Sequence, residues 1–66
     1  MQIAQAANFN DRTFLIAETM NEGTVRVRIK DIAVVRRCMN GKASIQVLNQ
    51  VYLLNEPFDD VVALLF

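Results

Sequence analysis

Between residues 24 and 42 the chain carries Arg26, Arg28, Lys30, Arg36, Arg37 and Lys42 against Asp31 alone, a local charge of +5. Arg26, Arg28 and Lys30 alternate with Val25, Val27 and Ile29, so all three fall on one side of an extended strand. Cationic groups repeated along a strand face can track the phosphates of a nucleic acid or nucleotide, as Sm-like and oligonucleotide-binding barrels do. These six cations are the candidate anion-binding site. Two features weigh against it. The flanking segments carry −2 and −3, so seven basic and seven acidic residues cancel and no long-range field steers a polyanion. Tyr52 is the one aromatic placed to stack a base, since Phe9, Phe14, Phe58 and Phe66 read as core or interface. A solvated face, or one self-complementary between subunits, explains the same charges.

Catalytic chemistry finds few reagents. With no histidine, the usual base for activating a serine or cysteine is missing. Cys38 follows Arg36 and Arg37, a setting that can activate a thiol. A small apolar side chain near a strand end accounts for it more simply. Asp59 and Asp60 are neighbours in sequence, but adjacent helical residues point about 100° apart and cannot act as a facing pair. Adding Glu56 still leaves too few oxygens for a hard divalent cation. No catalytic residue, metal or cofactor is expected.

The elements that must position these residues are organised around Ser44 to Phe66. Ala43, Ile45 and Val47 alternate with Ser44 and Gln46, and Val51-Tyr52-Leu53-Leu54 resumes the strand pattern. Between them, Leu48-Asn49-Gln50-Val51 predicts a hairpin turn with Asn49 and Gln50 at its centre. Glu56 precedes a proline and should not be helical. Pro57 suits a first helical position, and Asp59 and Asp60 offset the positive end of the helix dipole. Phe58, Val61, Val62 and Leu65 then share one face, predicting a helix from Pro57 to Leu65. So short a helix must be held by packing on a sheet.

Upstream, Thr13 to Met20 reads as a strand and Asn21-Glu22-Gly23 as a turn. Thr24 to Lys30 is the cleanest strand. Ile32 to Met39 is the next, with Ile32 and Val34 on one side and Ala33 and Val35 on the other. Asn40-Gly41 closes that strand onto Ala43–Leu48, both residues tolerating a positive φ. Residues 2 to 9 offer a weak first strand or a helical turn, joined onward by a turn at Asn10-Asp11. The expected fold is a single domain over residues 1–66, mainly β. It is an antiparallel meander or partly open barrel of five to six strands with one short C-terminal helix.

Size then raises a difficulty. A chain of 66 residues buries only about 60% of its unfolded surface. One cysteine excludes an internal disulfide, and without histidine a structural zinc is not expected. Yet 53% of the residues are apolar, more than so small an interior can absorb. The surplus points to homo-oligomerisation or to a protein partner. The C-terminal end supplies the candidate interface: Phe58, Val62, Leu64, Leu65 and Phe66. Leu64 and Phe66 lie partly off the helical stripe, and folding back onto the sheet is their alternative fate. No stretch reads as a signal peptide, the longest apolar run is Val61 to Phe66, and the cysteine is free. A cytoplasmic protein without a membrane partner is expected.

The segment Leu53-Leu54-Asn55-Glu56-Pro57-Phe58-Asp59-Asp60-Val61-Val62 resembles the ending, of the type V-x-E-x-x-E-E-V-I, of the small FlbD-like (SwrD) flagellar proteins. The resemblance covers residues 31 to 65 and rests on pattern. Other small phage and bacterial β-meander proteins end the same way. The Thr19–Val27 stretch and the basic middle depart from the family's pattern. What the resemblance implies is a non-enzymatic bacterial or phage accessory protein, of an interaction or regulatory kind.

Overall fold

A computed structural model describes residues 1–5 and 13–66. In chain order it contains β1 (Gln2–Gln5), β2 (Thr13–Glu18), β3 (Thr24–Arg28), a 3₁₀ turn (Ile29–Asp31), β4 (Ile32–Arg37), β5 (Lys42–Val47), β6 (Gln50–Pro57) and α1 (Phe58–Leu65). The protein is mainly β, as its alternating patterns predict. Its strands form two antiparallel three-stranded sheets, β1-β2-β3 and β4-β5-β6, rather than a closed barrel. The expected turn at Asn10-Asp11 and the reading of Phe9 as core or interface fall outside the described residues.

Each sheet turns one face inward. On the first, Leu15 pairs with Ile3 and Val27, and Ala17 with Val25. On the second, Ala43, Ile45 and Val47 present the alternation read from the sequence, opposite Val35 on β4 and Tyr52 on β6. The buried core is Leu15, Ala17, Val27, Ala43, Ile45, Val47, Leu54 and Val61. Four of these, Leu15, Ile45, Leu54 and Val61, supply the large fully enclosed side chains. At about 1.5–3 kcal/mol for each fully buried aliphatic side chain, that is a small store against the ordering entropy of the chain.

The sheets meet at a corner. Leu54, Asn55 and Glu56 of β6 stand against the single residue Ala43 of β5, an irregularity that turns β6 away from its partner. There Leu54 bridges to Thr19, and Met20 N–H donates to the Leu53 carbonyl at 2.8 Å. The result is an elongated body, 38 × 22 × 19 Å.

Four local expectations are corrected. The strand from Thr24 ends at Arg28, where the chain enters the 3₁₀ turn and the Arg28 Nε donates to Asp31 Oδ2 at 2.7 Å. Ala33 is a bulge residue, so Ile32 and Val35 face the core together and Val34 faces outward. The second hairpin turns at Leu48-Asn49, one residue early, with Leu48 at φ 56. Pro57 is the helix N-cap, extended at φ −61 and ψ 141, and the helix begins at Phe58.

The other turns follow their glycines. Gly41 takes φ 84 at the end of a loop in which its N–H donates to the Cys38 carbonyl and Cys38 N–H to the Lys42 carbonyl. That is a turn followed by a left-handed glycine, the usual three-residue hairpin loop. Gly23, at φ 77, closes the β2–β3 loop and accepts both the N–H and the hydroxyl of Thr19.

Candidate functional site

The six candidate cations do not form one stripe. Arg26 and Arg28 project from the outer face of the first sheet, while Lys30 stands on the 3₁₀ turn and leaves their line. Arg36 and Arg37 belong to β4 and Lys42 to β5, in the second sheet. Most are engaged within the chain. Arg26 lies over the Phe14 ring, 4.3 Å from its centroid. Arg28 is held by Asp31, and Arg37 Nη2 meets Asp59 Oδ1 at 2.7 Å while its guanidinium lies 4.9 Å from the Phe58 ring centre. Lys42 Nζ donates to Asn55 Oδ1. Arg36 is exposed, and its side chain makes no hydrogen bond or ion pair among the described residues.

Phe14, expected in the core or an interface, lies elsewhere. Its register opposite Arg28 places it on the outer face, not in the core. The signal was present in the sequence: Leu15 and Ala17 share a parity that Phe14 does not. The outer face of β2 and β3 therefore carries two arginines and an aromatic ring together, half-buried and already stacked on one of them.

The apolar residues converge more fully. Phe58, Val62, Leu65 and Phe66 form one wall of an open cleft of about 320 Å³ whose other wall is Ile29 and Ile32 to Val35. The structure thus assembles four of the five candidate interface residues and adds β4, which periodicity could not place beside them. Leu64 points away from the cleft lining and is 39% exposed, while Phe66 is 89% exposed. Neither folds back into the core. A second group of exposed apolar side chains, Met20, Val51 and Leu53, lies at the outer side of β6 and the corner.

Asp59 and Asp60 occupy the first turn of α1, Asp59 turned to Arg37. No group of three or more metal-ligating side chains occurs among the described residues. Cys38 is partly exposed in the β4–β5 loop. No described helix is long and apolar enough to cross a membrane. No protein family, curated protein or solved structure matches the chain.

Proposed function

We propose that the chain is a non-enzymatic interaction or regulatory module that works as a small homo-oligomer in the cytoplasm. It is of the bacterial or phage accessory type that its likeness to the FlbD-like proteins implies. The observation that supports this reading is the open apolar cleft between β4 and α1, with Phe66 exposed at its rim. A core of eight buried apolar side chains among the described residues, in a chain with a single cysteine, gives a second reason to share surface. Sedimentation velocity over a hundredfold concentration range tests it. A mass at least twice that of the 7.5 kDa chain is expected, and a monomer throughout would reject the reading.

Nucleic-acid or nucleotide-phosphate binding is the second reading. Its support is Phe14 beside Arg26 and Arg28, a ring and two cations on one sheet face. Reversing both arginines to Glu should then abolish salt-dependent retention on a polyanion resin, and unchanged retention rejects it.

A further inference from the structure

We infer that Asn40 is a site of spontaneous deamidation, attacked by the backbone nitrogen of Gly41, and that its conversion releases α1 from the β4–β5 loop. Such a reaction needs an asparagine whose next backbone nitrogen can be approached freely. Asn21, Asn49 and Asn55 are followed by Glu22, Gln50 and Glu56, whose side chains crowd that nitrogen. Among the described asparagines Asn40 alone precedes a glycine.

The loop suits the attack. Asn40 and Gly41 are both exposed, and the space beside the Gly41 Cα is open to solvent. Asn40 Oδ1 accepts the Lys42 N–H at 3.0 Å. That donor faces the oxygen on which negative charge collects when Cγ is attacked, and so favours the step. Among the described residues the departing Nδ2 is held by nothing stronger than a 3.9 Å contact with the Met20 sulfur. One bond opposes. The Gly41 N–H donates to the Cys38 carbonyl at 2.9 Å and must let go. It lies in an exposed loop, where local opening costs little.

The chemistry consumes only water. The Gly41 nitrogen gives its proton to a solvent base and bonds to Asn40 Cγ, the Cγ–Nδ2 bond breaks, and the side-chain nitrogen leaves as ammonia. Water then opens the resulting succinimide. Opening at Cγ leaves an ordinary aspartate at position 40. Opening at the backbone carbonyl carbon leaves an isoaspartyl link, in which the chain runs through Cβ and Cγ and is one carbon longer ahead of Gly41. The hydrogen bonds that meet at this loop cannot all survive that insertion: Gly41 N–H to Cys38, Cys38 N–H to Lys42, and Phe58 N–H to the Gly41 carbonyl at 3.0 Å. The last of these secures the start of α1. With eight residues the helix is too short to hold by itself, so the cleft wall of Phe58, Val62 and Leu65 loosens with it.

The full chain, aged in warm and mildly alkaline buffer, is followed by peptide mapping, with an isoaspartyl-specific methyl-transfer assay for the rearranged product. Asn40 should convert about tenfold or more faster than Asn49 or Asn55, giving both products. Conversion adds a negative charge, so ion exchange separates converted from unconverted chains of the same sample. Amide hydrogen exchange across Phe58–Leu65 should be faster in the converted fraction. N40Q, whose longer side chain closes a ring far more slowly, should show no such change on ageing. Asn40 converting no faster than the other asparagines overturns the site. Converted chains with undiminished protection of α1 overturn its coupling to the helix. Should N40Q fail to fold, the two wild-type fractions decide alone.

Discussion

Thr19 and Leu54 face each other across the corner where the two sheets meet, and their isolated bridge is flanked by the Met20 N–H bond to the Leu53 carbonyl. Both residues are buried, Thr19 at 7% and Leu54 at 0% exposure. A polar side chain can occupy that corner because its hydroxyl is fully used. It donates to the Gly23 carbonyl at 2.7 Å and accepts the Glu22 N–H at 2.8 Å. Thr19→Val keeps the shape and deletes both bonds. It should cost about 1–2 kcal/mol, read as a lower urea midpoint with an unchanged m-value.

Leu54 and Leu53 are adjacent yet should differ sharply. Leu54→Ala removes enclosed volume from the core and should cost about 2–5 kcal/mol. A domain of this length has a total stability of only about 3–10 kcal/mol, so much of the population should unfold. Leu53→Ala, on the exposed face, should stay within about 0.5 kcal/mol. Urea titrations of the two variants followed by circular dichroism would separate them, and equal losses would contradict the assigned register.

Leu48 occupies a left-handed conformation that suits glycine. The conformation costs a side-chain-bearing residue about 1–2 kcal/mol. Glycine gives back about 0.5–1 kcal/mol through its freer unfolded state. Leu48→Gly should therefore stabilise the protein by about 0.5–1 kcal/mol, visible as a raised melting temperature.

Arg37 and Asp59 tie β4 to the first turn of α1, but both side chains are largely exposed. A double-mutant cycle between them should give a coupling of about 0.2–1 kcal/mol that fades with added salt. Arg37→Ala should cost more than Asp59→Ala, because it also removes the stacking on Phe58. Equal losses would show that the ring contact contributes nothing.

Much of this architecture was legible because burial on one face enforces alternation. Ala43, Ile45 and Val47 declared their strand, and Gly23 and Gly41 declared their loops. The Leu48-Asn49 turn was not legible, for a definite reason. Moving the turn by one residue leaves Tyr52 and Leu54 on the same face as Ile45, so alternation cannot choose between the two placements. The Ala33 bulge was hidden likewise: four consecutive apolar residues, Ile32 to Val35, carry no period to break. At the candidate site, the helical stripe Phe58, Val62 and Leu65 could be read locally, whereas its union with β4 depends on how the sheet is ordered. Arg28 and Arg37 looked available for a ligand because their partners, Asp31 and Asp59, are brought near only by a turn and a long-range packing contact.

The Gly41 carbonyl accepts the N–H of Phe58 at 3.0 Å, fastening the leading amide of α1 to the far-off β4–β5 loop. The start of the helix is therefore held by that loop as well as by its own packing on the sheet. Disturbing Gly41 would be felt at the opposite end of the chain, as a slackened grip on everything from Phe58 to Phe66. One backbone carbonyl in a bend thereby helps to set how the greasy tail is presented.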